Sequence, residues 1–414
     1  MAKGNITTGL DIGTSNTRVV VASYKEGEEK PKIIGVGEAP SSGMRKGVVV
    51  DIDEVTESIK KAVEQASLSS GFPIDHIYLS IGGNHISVRE NKGLVAVSRA
   101  DQEVSEEDIS RVIDSASAIS LPPNREIIHV IPKTFKLDNE EDIQDPLGMI
   151  GARLEVDTII IDGLAPHIKN LTKCVSGLGI KINGLALNVL AASQSVLSKR
   201  QKELGVLVLD LGGGTASMVV YEEGKLLHAH ILPVGSSHIT NDIAIGLRTT
   251  IDLAERVKLQ YGVASPSEIK KKETINLSEL DENEEGEIDK REVAKIIEAR
   301  VCEIFDLVNR ELKKIGKQKL LPAGVILVGG GSLLPNIVDL AKQELGLPAE
   351  IGIPSEVEGI MEGIDNPAFA TATGLVLWGL KMGKGINQKS ILSEIPSAST
   401  TINKIKGWFR AFLP

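Results

Sequence analysis

Apolar and polar residues recur along this chain with two different periods. Near the start, GLDIGTSNTRVVVASYKEGEEKPKIIGVGE (9–38) sets Val- and Ile-rich runs between Gly, Asn and charged turns, as expected of buried strands joined in hairpins. The same order returns in VLVLDLGGGTASMVVYEEGKLLHAHILPVG (206–235): apolar strand, Asp, Gly-rich turn with Thr or Ser, apolar strand, Tyr, a charged turn closing on Gly, and a further strand. Asp11 aligns with Asp210, Gly13 with Gly212, and Tyr24 falls close to the place of Tyr221. The repeat predicts a duplicated α/β unit with a cleft between its halves.

Two interruptions break the repeat. Between IYLSIGG (77–83) and IIIDGLAPH (159–167) lie the strand-like GLVAVSRA and REIIHVIPKTFKL. A helix begins near Ser105, where S-E-E-D supplies an N-cap and an acidic first turn. This is enough chain for a small α+β subdomain. In the second half, EIKKKETINLSELDENEEGEIDKR (268–291) reads as a charged, exposed excursion outside the core. A helical period follows, with Val293, Ile296, Ile297, Val301, Ile304, Phe305 and Val308 forming one stripe on a helix that covers an edge of the fold.

Three Gly-rich turns follow apolar strands: DIGTSNTR (11–18), DLGGGTAS (210–217) and VGGGSLLPN (328–336). Glycine after a strand lets backbone N–H groups approach a phosphate with no Cβ in the way. Gly13, Gly212, Gly213 and Gly214 meet that need, and Thr14, Ser15, Asn16 and Thr215 add hydroxyl or amide donors. Asp11 and Asp210 repel phosphate, but they suit a hydrated Mg²⁺ that bridges to it. No turn fits the P-loop pattern, so a different nucleotide fold is expected. In TTIDLAERVKLQYG (249–262), Glu255 and Lys258 lie three apart on a helix and share a face, where they can grip a ribose.

Composition narrows the class. At 414 residues the chain exceeds one hydrophobic core. A formal charge of −10 argues against nucleic acid as a main partner. Two cysteines, Cys174 and Cys302, fit a reducing cytosol and buried, inert roles. No signal-peptide core and no transmembrane-length apolar run is present, so a cytoplasmic protein is expected. The end differs from the rest. GKGINQKSILSEIPSAST (383–400) reads as a flexible tether with a reach of about 23 Å. INKIKGWFRAFLP (402–414) then places Ile402, Ile405, Trp408, Phe409, Phe412 and Leu413 on one helical stripe, flanked by Lys404, Lys406 and Arg410. Aromatic rings favour a membrane interface and cations beside it favour anionic lipid, so this segment is expected to lie on the cytoplasmic face of the membrane.

The two Asp-Gly loops, the GLALNVLAASQSVL connection (184–197), VGGGSLLPN and PAFATATGLVLWG (367–379) together resemble the five elements of the actin-like ATPase superfamily. Within it, IGGNHISVRENKGLVAVSR (81–99) and LPVGSSHITNDIAIGLRTTIDLAERVK (232–258) resemble the FtsA family of bacterial division proteins. The resemblance implies ATP between the two loops, with Gly329, Gly330 and Gly331 behind the adenosine. It implies subdomain 1A over 1–83 and 164–201, an inserted 1C for assembly over 84–163, 2A over 202–240 and 320–382, and 2B over 241–319. The linker 383–400 and the membrane helix 401–414 complete it. Where related ATPases carry a water-orienting Glu, this chain has Asn188, with Gln194 nearby, which implies slow hydrolysis at most. The family resemblance further implies self-polymerisation and later division proteins as partners. It implies binding of the C-terminal peptide of FtsZ by the second half, where Lys295 and Arg300 are candidates. Two rivals share the superfamily fold: a sugar kinase, which needs no amphipathic tail, and a pilus-assembly adaptor that binds a short peptide of a membrane partner.

Overall fold

The computed structural model describes residues 5–25, 27–269, 273–280, 282, 286–359 and 364–384. The tether and tail residues beyond 384, including Ile402 to Leu413, lie outside them.

The first half opens with β1 (Asn5–Ile12), β2 (Asn16–Tyr24) and β3 (Lys32–Pro40), a meander in which the Val-rich strands pair antiparallel. A two-residue hairpin, β4 (Met44–Arg45) and β5 (Val48–Val49), leads into α1 (Ile52–Ser70). That helix starts where Asp51 accepts hydrogen bonds from the N–H groups of Asp53 and Glu54, and stops at Gly71 in the left-handed region. Strand β6 (His76–Ile81) then pairs parallel to β1.

The chain next leaves the sheet. β7 (Ser87–Ala96), α2 (Glu106–Ser117), β8 (Arg125–Leu137), β9 (Glu140–Ile143) and β10 (Arg153–Leu164) build a four-stranded sheet in the order β7-β10-β8-β9, with α2 against it. Its small core holds Val104, Ile109, Val112, Phe135, Leu154 and Val156. As the S-E-E-D pattern predicts, Ser105 caps α2 through a reciprocal capping box with Asp108.

Helix α3 (Ala165–Ser176), β11 (Lys181–Leu187), α4 (Asn188–Val196) and α5 (Lys199–Leu204) return the chain to the first sheet and carry it across. The second half repeats the plan with β12 (Val206–Leu211), β13 (Ala216–Glu222) and β14 (Lys225–Leu232) as an antiparallel meander. Helices α6 (Ser236–Leu247) and α7 (Ile251–Tyr261) follow. β15 (Thr274–Asn276) pairs with β16 (Glu287–Asp289) ahead of α8 (Lys290–Lys314). β17 (Val325–Val328), α9 (Ile337–Leu345) and β18 (Ala349–Ile351) complete the second sheet, β19 (Glu358–Gly359) pairs with β3, and α10 (Ala370–Lys384) ends the described chain.

The duplication is plain in the topology. The first sheet runs β11-β6-β1-β2-β3-β19 and the second β18-β17-β12-β13-β14, so each is an antiparallel meander extended on one side by two parallel strands, and the first gains the short parallel β19 at its other edge. One large core joins Leu10 and Leu79 of the first sheet to Val206 and Val219 of the second through α4.

Two expectations need correcting. The segment 268–291 is not wholly an exposed excursion: Ile275, Leu277 and Leu280 are buried in the core of the second half. And 320–382 does not lie wholly with the second half, because α10 packs on β1, β2 and α4, with Leu375 and Trp378 in the core of the first. Cys174 is buried and Cys302 partly so; burial pushes both thiols above their ordinary range, Cys302 to about 11.

Candidate functional site

The aligned aspartates stand at the C-terminal ends of equivalent central strands, Asp11 on β1 and Asp210 on β12. Ligands of open α/β sheets gather at such ends. The Asp11 carboxylate accepts a 2.6 Å hydrogen bond from Ser80 on the neighbouring β6. Asp210 accepts one of 2.9 Å from the Asn188 amide, which also donates to Ser217 at 3.2 Å. Both carboxyls are pushed above their ordinary values. For Asp11, burial outweighs the Ser80 hydrogen bond and the Arg18 charge. For Asp210, burial and then the charge of Asp11 raise it to about 7, against the Asn188 hydrogen bond. Two acids that cannot comfortably ionise together are a donor set suited to a divalent cation with waters.

The two Asp-Gly loops face each other. A Cβ on Gly213 would lie 2.3 Å from the Ser15 hydroxyl, and one on Gly214 would lie 2.8 Å from that of Thr14. At Gly214 the Lys46 backbone, 2.8 Å from such a Cβ, also excludes a side chain, whereas at Gly213 the Ser15 hydroxyl would have to turn away. The second loop is tied to the start of α6: the N–H groups of Ser236 and Ser237 donate to the carbonyls of Gly212 and Gly213 at 2.9 and 2.8 Å. Thr14 accepts from the Gly47 N–H at 3.2 Å, and the Gly13 N–H closes its own turn on the Asn16 carbonyl at 3.0 Å. The third turn joins the same place. Gly329 has φ +82, and a Cβ there would collide with the Asp210 carboxylate at 2.3 Å. Gly330 and Gly331 continue from it in a short 3-10 turn.

Glu255 and Lys258 do share a face of α7. The Lys258 ammonium donates to the Glu255 carboxylate at 2.6 Å and to the Thr240 hydroxyl of α6 at 2.9 Å. Gln194 is not brought to the aspartates: it accepts from Lys381 of α10 at 2.6 Å. Lys295 is exposed and pairs with Glu292, one turn away. Arg300 is more committed, with two guanidinium hydrogen bonds to Asp242 of α6 at 2.6 and 2.9 Å, and a further one to Glu303. The sequence reading missed Ser80, Ser217, Ser236 and Ser237.

Duplicated sheets closing two Asp-Gly loops over a pair of buried acids define an actin-like protein, and solved structures agree on the fold. The chain matches a structure of the PilM-PilN type IV pilus biogenesis complex with TM-score 0.66 at 19% identity, over 90% of this chain and 98% of that one. MreB5 of Spiroplasma citri bound to ADP matches with TM-score 0.53 at 14% identity, over 92% and 98%. Sequence relatives are more specific. The chain is 39% identical to the cell division protein FtsA of Bacillus subtilis, over 91% of this chain and 84% of that one. It is 34% identical to that of Pseudomonas aeruginosa, over 98% and 97%. Models of the cell division protein FtsA and of the SHS2 domain inserted in FtsA match residues 207–374 and 83–162. The chain belongs to the FtsA family of cell division proteins. Among the described residues no helix is long and apolar enough to cross a membrane.

Proposed function

We propose that this chain binds ATP and Mg²⁺, assembles into filaments on the cytoplasmic face of the membrane at the division site, and holds FtsZ filaments there. The observation that carries the nucleotide part is the pair of facing Asp-Gly loops over Asp11 and Asp210. In this reading Gly13 to Asn16 and Gly212 to Thr215 hold the phosphates, Gly329 to Gly331 back the adenosine, and Glu255 with Lys258 meet sugar and base. Asp11 and Asp210 hold Mg²⁺ through its waters, and the bound pair supplies an activated phosphoanhydride. MreB5 of Spiroplasma citri, of like fold, has been solved with ADP and with AMPPNP, which supports this reading.

Asn188 supports a reading of slow turnover. Its amide nitrogen is committed to Asp210 and Ser217, while its buried carbonyl oxygen has no hydrogen-bond partner. That oxygen can accept a hydrogen bond from a water, but an amide cannot take its proton. Slow hydrolysis is expected, and a brisk steady-state rate that survives Asp210→Asn would contradict it.

Residues 84–163 provide the assembly surface between copies. The FtsZ C-terminal peptide binds the second half, where exposed Lys295 is readier than Arg300 to change partners. The tail from Ile402 to Leu413, with Lys404, Lys406 and Arg410, anchors the assembly to anionic lipid, and later division proteins join it. Co-sedimentation of FtsZ with anionic vesicles and ATP tests the whole. FtsZ should pellet with the full chain and stay in solution with a chain ended at Gly385. If the full chain pellets without FtsZ, the partner is wrong and a pilus-type adaptor takes its place.

A further inference from the structure

We infer that the second half carries a transition-metal site of zinc type, built from His228, His230 and Glu311. The histidines stand two apart on β14, so both rings leave the same face of this edge strand; they stack with centroids 6.2 Å apart. Glu311 reaches that face from near the end of α8. Its two carboxylate oxygens lie 3.6 Å from His228 Nε2 and 3.8 Å from His230 Nε2. All three ligand atoms fall within 4.8 Å of one another. Tetrahedral ligands about 2.1 Å from zinc stand about 3.4 Å apart, so small side-chain rotations close the set.

The chemistry favours a metal over a simple ion pair. His228 Nε2 is buried, and its nearest acceptor, the Glu311 carboxylate, stands 3.6 Å away, beyond a good hydrogen bond. Two imidazoles and one carboxylate suit Zn²⁺, Co²⁺ or Ni²⁺ and match poorly the all-oxygen shell of Mg²⁺. His230 is 38% exposed on its side chain, which gives an entry path and a fourth position for water. One competitor is present: the Lys314 ammonium, 2.6 Å from Glu311. Its side chain is 65% exposed, so an arriving cation can send it into solvent. The site also borders the insert, because β14 adjoins β7 and β8 and the charge of Glu90 on β7 acts on His228. Metal there would fasten α8 to the edge strand where the second half meets the insert.

The test titrates the full, nucleotide-free chain with Co²⁺ in excess Mg²⁺, followed by Zn²⁺ competition. One Co²⁺ per chain is expected, with the visible absorption of a four- or five-coordinate ion, bleached by Zn²⁺. His228→Asn and His230→Asn should each weaken binding by about tenfold or more. Lys314→Ala should tighten it by several-fold, because a like charge leaves the site. Absence of stoichiometric Co²⁺ binding, or binding that neither histidine substitution changes, overturns the assignment. If the histidine variants do not fold, Lys314→Ala decides: unchanged Zn²⁺ affinity overturns it.

Discussion

At the scale of single residues, Asp210 is where stability and ligand binding oppose each other. Its carboxyl takes a proton near pH 7 in the folded chain and only near pH ~4 when unfolded. Between those values unfolding releases a proton, so the stability of the nucleotide-free protein falls as pH rises, by up to about 1.4 kcal/mol per pH unit, and levels off above pH 7. Thermal melts from pH 5 to 8, with and without Mg²⁺-ATP, should show this slope and its flattening by ligand. Asp210→Asn should raise the melting temperature of the nucleotide-free chain at pH 8 and lower Mg²⁺-ATP affinity at least tenfold, measured by calorimetry. The aspartate pair was legible because it repeats with its strand and its turn. Ser80 and Ser217 were not, because their partners are set by which strands pair and in what register. Gln194 fails on simple periodicity: six residues beyond Asn188 on α4 it faces a different side and meets Lys381.

At the scale of elements, charged residues that look like solvated decoration hold pieces together. Asp108 is fully buried at the head of α2, where burial opposes its charge. Hydrogen bonds from Ser105, Arg111 and Ser98 prevail and keep its carboxyl well below the usual range. Asp108→Asn should destabilise the insert by about 2 kcal/mol, read as faster hydrogen exchange confined to residues near 94–116. Arg300 bonds α8 to Asp242 on α6, and Arg300→Ala should cost about 1 kcal/mol. Asp242→Asn separates clamp from peptide site: if it lowers the melting temperature as Arg300→Ala does yet leaves FtsZ-peptide affinity unchanged, Arg300 serves the fold. The stripe on α8 was readable because seven apolar residues kept one period. Ile275, Leu277 and Leu280 were not, since a short hairpin anchored by three apolar side chains has no period to detect among acids and lysines.

At the scale of the whole molecule, assembly and membrane residence should be coupled. A short interfacial helix binds weakly and reversibly alone, whereas a filament presents many copies at high effective concentration. Charge-reversing substitutions on the exposed rim of the insert, at Lys92 and Glu141, should weaken vesicle binding in sedimentation if they block assembly. Equal vesicle binding by an assembly-defective chain would sever the link. The doubled architecture was legible from the repeat, but the seat of α10 was not, since nothing in an apolar helix names the sheet it will cover. That seat has a consequence in time. β1 and β2 emerge from the ribosome early, yet the helix that covers them is among the last described residues to be made. Until it arrives, Val20 and Ala22 lack their cover, and closing so distant a contact is slow. The nascent first half is therefore expected to need chaperones, and a chain stalled before α10 to be cleared by proteolysis.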